Sequence, residues 1–554
     1  MSQIKGPTLI VAATGAVRLH TLASWWRRFT VDHALTALVG AVALGFDLHG
    51  LGTASLSVDE AWSVGLASHN LRILWQYIWG QDAHMALYYL LLHGWLHILA
   101  FLGIPPVEFM VRLPSAICAA LSSVMVFLLG QRFWRRTAGL VASLLYLLNI
   151  LQLFHAQNAR SYSLEALCVC ASWYALFAAL HAANGRFSRW ACYVGVTALA
   201  IYAQIFAVLI VVAQVVACAG LLILPNPWRT RVQDAQRSLA VSLALIGILV
   251  APLGLDALIH GGGNKWVPAA SIQSIINFFI YLCDERVSYL YLIASIALLA
   301  LLIAARSWIR WVSRWLAHSL DRDQAGMLSL AVSRQLPPAT FGLICWLVVP
   351  MLLSYVMTQP ALNLHLFWDR YLIGVVPPFY LLVGTSVGAF RWRLVRLVLA
   401  LLLIGFALVQ LPPRYYAMQP DDFRSVAAWL ETHYVSGDGV ACYIGTLCAV
   451  PMDYYLHLDP GPAHLDADSP GNFLWDGHKV VSSSVPSLAA YSTRHRHIFV
   501  ILVLDHRSPA RQAEEQAVQQ WLDGHCTHQA AFRAGSVLVR WCATGISLPH
   551  YHRS

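Results

Sequence analysis

Long apolar runs separated by short polar loops recur along the chain from Leu35 onward. A run of about 20 apolar residues is the length a helix needs to cross a bilayer. The pattern predicts eleven spans, at about 35–51, 113–130, 138–154, 162–182, 190–204, 205–224, 238–256, 287–305, 340–357, 371–390 and 395–411. The run 191–224 is too long for one helix and splits at Ala203-Gln204 in a tight turn. Residues 60–80 are different: Trp62, Leu66, Leu71, Leu74, Trp75, Ile78 and Trp79 predict Trp-rich amphipathic helices lying at the membrane interface. After Leu411 the pattern becomes that of a soluble α/β module. Asp421/Asp422 caps a helix with Phe423, Val426, Ala427 and Leu430 on one face. Gly439–Ile444, His497–Leu504 and Ser536–Trp541 read as strands, and Pro509–Gly524 as a helix. The fold class is therefore an all-α polytopic membrane protein, with about eleven spans plus interfacial helices in residues 1–411. A small C-terminal α/β domain follows in 412–554.

Composition supports this reading and orients it. Of the 554 residues 58% are hydrophobic and 11% charged, against about 25% charged in soluble proteins. The net charge of +9 comes largely from Arg in short loops. The loops 131–136, 185–189, 228–237, 306–334 and 391–396 hold sixteen Arg, and the positive-inside bias places them all in the cytoplasm. Arg27 and Arg28 place the start of the first span there too. All of these loops share one side only if 84–103 does not cross, so it reads as an interfacial or re-entrant helix. The N-terminal stretch carries Arg18 and lacks a short apolar region with a cleavage site, so the first span reads as uncleaved. No Lys/Arg run with interleaved aromatics appears, so no nucleic-acid partner is expected. The same count puts the C-terminal domain outside, with the chain in the inner (plasma) membrane. Four of the eleven cysteines lie in that domain. Cys442–Cys448 and Cys526–Cys542 are the expected disulfides, since each closes a short loop within one module. The other seven lie mostly in spans, where cysteine is an ordinary small apolar residue.

Candidate chemistry gathers at the outer face. Asp59 and Glu60 follow the first span, and Asp82 and His84 stand where the next apolar run begins. A carboxylate near the bilayer core costs about 2.5–3.5 kcal/mol, so such residues mark functional sites more often than ordinary loops. Arg160 and Arg370 are lone outer-side arginines followed by Tyr162 and Tyr371. They either snorkel to head groups or clamp a phosphate with the planar guanidinium fork. The register brings four segments to this face: 57–84, 153–162, 260–266 and 363–371. Other motifs are weaker. His93 and His97, four apart on a helix, fit bundle-facing histidines better than a metal pair. Gly384 and Gly388 match GxSxG in letters only and suit helix packing. Gly261–Gly263 is a flexible loop or an anion nest. There is no P-loop and no HExxH.

Several stretches in order resemble a known family: SVDEAW, DAHMALYYLLLH, EFMVRLPSA, GQRFWRR, FHAQNARSYSL and FWDRYLIGVVPPFYLL. They are similar to the dolichyl-phosphate-mannose-type protein mannosyltransferase superfamily, glycosyltransferase family 39, which includes bacterial relatives of the aminoarabinose transferase. The resemblance covers about residues 30–412. It implies a GT-C fold, a polyprenyl-phosphate sugar donor and an external active site. It implies that Asp59 is catalytic, with Glu60 as the other half of the acidic pair. It matches Arg160 with Tyr162, and Arg370 with Tyr371. The usual Asp-x-His-Pro-Pro becomes Asp82-Ala-His84-Met85-Ala86, without the prolines.

These readings converge on a membrane glycosyltransferase of the cell envelope. It would move a sugar to a lipid, glycan or protein acceptor. Asp59, Glu60 and Asp82 are the expected catalytic residues, and His84, Arg160, Tyr162, Arg370 and Tyr371 the substrate-binding ones. No cofactor is certain from the sequence, and a divalent metal ion is a candidate. The rival is a transporter or flippase of a lipid-linked or small anionic substrate, which should show repeated halves and broken helices at the midplane. No convincing internal repeat is seen, and the polar groups cluster at one face. A structural or sensor protein would leave the acidic pair unexplained.

Overall fold

The computed structural model describes residues 31–80, 83–181, 187–224, 226–260, 267–301, 338–362, 364–412, 415, 421–435, 438–442, 445–456, 474–475, 478–479, 485–493, 495–504 and 509–543. The loop 306–334, Gly261–Gly263, Asp82 and the N-terminal arginines lie outside the described residues.

Among the described residues nine helices are long and apolar enough to cross a membrane, and a bent pair raises this to ten. The segment Ala83–Phe101, expected at the interface, is by length and composition one of the nine. The chain breaks as expected at Gln204, whose extended backbone separates Phe187–Ala203 from Val208–Ile223. The expected continuous span 138–154 is corrected: Arg136–Leu148 and Ile150–Ala156 meet at 67°. The cause is Asn149, which leaves the helical conformation and accepts from the Gln152 amide at 3.2 Å. Asp284 then takes the Ile150 amide at 3.0 Å and Asn149 Nδ2 at 3.1 Å. Broken backbone at membrane depth needs such partners because lipid offers none. A further short apolar helix, Ile272–Leu282, was not expected from the sequence.

Close approach of small residues packs the bundle. A Cβ on Gly130 would lie 2.4 Å from Gly139 Cα, and one on Gly384 2.4 Å from Ala138 O. Gly384 thus serves helix contact, as expected for small residues in membrane helices. Trp173 and Trp346 stack at 5.1 Å in the interior. A buried polar chain adds cross-helix hydrogen bonds. Tyr193 donates to Gln214 at 2.8 Å, Gln214 donates to Ser172 at 2.8 Å, and Ser172 meets Thr197 at 2.7 Å.

The C-terminal region forms a mixed sheet of β1 (Gly439–Cys442), β4 (His497–Val503), β5 (His528–Ala534) and β6 (Val537–Ala543), in the order β1-β4-β6-β5. The hairpin β2 (Leu474–Trp475) and β3 (His478–Lys479) lies apart from it. The β1–β4 pair is parallel and the others antiparallel. Strand β5 is an addition to the expected set. Helix Phe423–His433 buries Phe423, Val426, Ala427 and Leu430, and Asp422 caps it through the Ser425 amide at 3.1 Å. Cys442 pairs with Cys448 and Cys526 with Cys542, as spacing suggested. Helix Gly445–Tyr455 packs against Val58–Ser68, so this region meets the bundle beside the acidic pair.

Candidate functional site

The site is built on the N-terminus of helix Val58–Ser68. Ser57 and Glu60 form a reciprocal capping box: Ser57 Oγ accepts the Glu60 amide, and Glu60 accepts the Ser57 amide at 2.9 Å. Asp59 and Glu60 are thereby fixed one helical step, about 100°, apart, and they face different surroundings.

Glu60 points inward and its carboxylate is 2% exposed. Arg112 binds it in bidentate fashion, Nε to Oε1 at 2.7 Å and Nη2 to Oε2 at 2.9 Å. The Ala159 amide donates to Oε1 at 2.9 Å. Arg112 spends its remaining donors on the carbonyls of Leu51, Ala54 and Ser55, at 2.8–2.9 Å. Glu60, expected among the catalytic residues, is held in a buried ion-pair and hydrogen-bond network. Its oxygens are occupied, and its place is to tie the loop 51–57, the helix Glu108–Phe133 and the turn 157–161 together.

Asp59 faces out, with its side chain 49% exposed. Arg370 Nη1 donates to Asp59 Oδ2 at 2.7 Å across 311 residues of sequence. Arg370 opens the 3-10 helix Asp369–Val375, which Trp346 Nε1 pins by donating to Gly374 O at 2.8 Å. The segment leading into it is anchored at Thr358, whose Oγ1 accepts the Leu366 and Phe367 amides at 2.8 and 2.7 Å. The Arg370 guanidinium lies 5.7 Å from the centre of the Tyr371 ring.

Arg160 arrives from the turn after the kinked helix. Ser115 Oγ donates to its carbonyl at 3.3 Å, and its own Nη1 donates to Ser63 Oγ at 3.2 Å and Asp59 O at 3.4 Å. Gln157 fastens the turn to the first helix by donating to Asp47 O and His49 O at 3.0 and 2.7 Å. Tyr162 interacts electrostatically with Arg160, Arg370 and Asp59, and Tyr371 does the same. The structure therefore brings together Asp59, Arg160, Tyr162, Arg370 and Tyr371. His84 is half-buried in the 3-10 turn Ala83–Met85, which packs against helices Phe187–Ala203 and Arg229–His260. Asp82 lies outside the described residues.

Sequence reasoning missed two residues here. Arg112 is a charge one turn into an apolar helix, and the cost of such a charge was the signal that could have found it. His155 lies 4.5 Å from the Tyr162 ring. The His93–His97 pair is structural: His93 Nδ1 meets Ala67 O and His97 Nδ1 meets His93 O, both at 2.9 Å. Among the described residues no three His, Cys, Asp or Glu side chains gather to hold a metal.

The C-terminal region reaches the same loop. Tyr455 accepts the Leu56 amide at 2.6 Å and donates to Glu108 at 2.9 Å. Arg424 donates to the carbonyls of Gly52 and Thr53, and pairs with Glu108 at 3.1 Å. Tyr454 donates to Pro106 O. Ser55 Oγ donates to Asp421 O at 2.5 Å and accepts the Phe423 amide at 3.2 Å.

Comparison with known proteins places this architecture. A family model described as dolichyl-phosphate-mannose-protein mannosyltransferase matches residues 89–253. No curated protein matches in sequence. The crystal structure of ArnT from Cupriavidus metallidurans in the apo state aligns with a TM-score of 0.52 at 11% identity, covering 94% of this chain and 100% of that one. The structure of the same protein bound to undecaprenyl phosphate gives 0.49 at 12% identity, covering 93% and 99%. The Archaeoglobus fulgidus oligosaccharyltransferase in complex with zinc and sulfate gives 0.49 at 12%, covering 91% of this chain and 73% of that one. The chain is thus a multi-pass membrane protein with the GT-C fold. Within that class its fold is similar to that of ArnT.

Proposed function

We propose that this chain is an integral membrane glycosyltransferase. It moves a sugar from a polyprenyl-phosphate-linked donor to a hydroxyl or amine acceptor at the outer face of the membrane. The observation that carries the reading is the Asp59–Arg370 pair at 2.7 Å, with Arg160 beside it, at the edge of an apolar bundle. The GT-C fold and the family match support it.

The chemistry follows from the groups present. Asp59 takes the acceptor's proton as the acceptor atom bonds to the anomeric carbon. The carbon–oxygen bond to phosphate breaks, and its electron pair leaves with the polyprenyl phosphate. Arg160 and Arg370 meet the charge growing on that phosphate, where fixed cations are worth most. Arg370 has a second task. It neutralises Asp59 until the donor phosphate draws it away and releases the carboxylate as base. Tyr162 and Tyr371 frame the two guanidiniums. His84 and Asp82 belong to the acceptor side in this scheme. A divalent metal, if used, would assist the phosphate. The C-terminal domain lies outside with the site.

The test is turnover of an undecaprenyl-phosphate sugar by the purified full-length protein in lipid, read as release of undecaprenyl phosphate. Movement of intact donor across vesicles without cleavage would favour the transporter reading instead. Mass spectrometry of envelope glycans and lipids from a deletion strain identifies sugar and acceptor.

A further inference from the structure

His155 ends the short helix Ile150–Ala156 at the entrance to the turn that delivers Arg160. It is 3% exposed, and neither ring nitrogen has a hydrogen-bond partner among the described residues. The residue is well fixed. Ser163 Oγ donates to its carbonyl at 2.8 Å, and its ring contacts Phe154 at 5.2 Å and Tyr162 at 4.5 Å. It interacts electrostatically with Arg370, Arg160 and Asp59.

A buried imidazole without partners is costly, because its N–H and lone pair have given up water for nothing. A phenyl ring would pack on Tyr162 without that cost. The unmet capacity is also concentrated: Ser161 Oγ of the same turn, which can donate, lacks a partner among the described residues. The surroundings say what would complete the imidazole. Two guanidiniums, which only donate, outnumber the single carboxylate of Asp59, so the local charge favours an anion. An anion with several acceptor oxygens can take N–H groups from both arginines and from the imidazole together.

We infer that His155 is a third ligand of the donor phosphate, donating an imidazole N–H alongside Arg160 and Arg370. The inference rests on the glycosyltransferase reading and deepens it by assigning recognition of the phosphate rather than the sugar or the lipid tail. Tyr162 acts as the wall that orients the ring.

The experiment compares binding of undecaprenyl phosphate and of undecaprenol to the full-length protein in detergent micelles. The ratio of the two dissociation constants isolates the phosphate contribution. His155→Phe keeps the ring packing and should cut that ratio at least tenfold, while undecaprenol binding stays within twofold. His155→Gln, which keeps an amide N–H, should recover part of the ratio. A packing defect would weaken both lipids equally and overturn the inference. So would a wild-type ratio in His155→Phe. If His155→Phe does not fold, the same ratio in His155→Ala decides on the same terms. Arg160→Ala and Arg370→Ala separate the two levels of argument. A lost ratio in these with a normal ratio in His155→Phe rejects only His155. Normal ratios in all three reject the phosphate site and the reading beneath it.

Discussion

Asp59 and Glu60 are adjacent, identical in charge and opposite in circumstance. Glu60 is 2% exposed and receives the Arg112 fork, two groups of Ser57 and the Ala159 amide. Asp59 is 49% exposed and meets Arg370 through one oxygen. A carboxylate with every lone pair engaged in a buried network can hold a structure but has no capacity left for substrate. One that is half exposed and meets a cation at the surface can exchange that partner for another. Under the proposed function the pair divides its labour: Glu60 fixes the scaffold, and Asp59 serves as the base. Buried networks of the first kind are costly to break, since removing one partner strands a charge away from water.

The largest expected effect tests the exposed half. Asp59→Asn is nearly isosteric but accepts no proton, so the transfer rate should fall by about 10²–10⁴. Thermal stability should change little, and affinity for undecaprenyl phosphate should hold or rise, because Arg370 loses its competitor. Near-normal turnover in this variant would remove Asp59 from the chemistry.

The buried half should respond in stability. Arg112→Ala leaves Glu60 buried without its cation and frees three backbone carbonyls. The expected loss is about 3–5 kcal/mol, read as a large fall in melting temperature in lipid or as failure to accumulate. Glu60→Gln should sit between this variant and wild type, since the amide keeps the shape but loses the ion pair. If Glu60→Gln melts like wild type yet loses turnover, the division of labour is reversed.

Arg370 sharpens the contrast from the partner's side. Arg370→Ala should weaken donor use strongly, and Arg370→Lys should restore only part of it, because an ammonium is a point charge without the planar fork. Equal donor kinetics in Arg370→Ala and wild type would return the residue to a role in head-group contact.

Much of this organisation is legible in the amino-acid sequence. Membrane spans announce themselves because lipid demands about 20 apolar residues per crossing. The break at Gln204 is visible because 34 residues, 191–224, cannot be one crossing. The helix face of Phe423, Val426, Ala427 and Leu430 is visible because amphipathic spacing is local. What escapes is non-local or hidden by shortness. The 67° bend depends on Asp284 reaching Ile150 from 134 residues away. The pairing of Asp59 with Arg370 has no signature in spacing. The two carboxylates of the acidic pair read alike in sequence, and only the direction of each side chain, set by the capping box, tells them apart. Helix Ile272–Leu282 is shorter than a span, and strand β5, His528–Ala534, carries alanines and an arginine in place of branched residues. His155 reads as one polar residue in a polar turn, and only its burial sets it apart.

The smallest expected effect lies where the C-terminal region touches the scaffold. The Tyr455 hydroxyl accepts the Leu56 amide at 2.6 Å and donates to Glu108 at 2.9 Å. Burial pushes this hydroxyl above the ordinary phenol range, so it stays protonated and remains a donor throughout the working pH range. Leu56 immediately precedes the capping Ser57, so the contact holds the loop that aims Asp59. Tyr455→Phe keeps the ring and removes only the oxygen. The Leu56 amide is then left without its acceptor, which costs about 1–3 kcal/mol, while Glu108 keeps Arg424 at 3.1 Å. Melting temperature should fall by less than in Arg112→Ala. Turnover should drop several-fold with donor affinity unchanged, because the base is displaced and the arginines are not. A matching loss of donor affinity would show that the contact supports the whole site rather than the Asp59 helix. A melting temperature and turnover equal to wild type would show that Arg112 and Glu60 hold the loop without help from the C-terminal region.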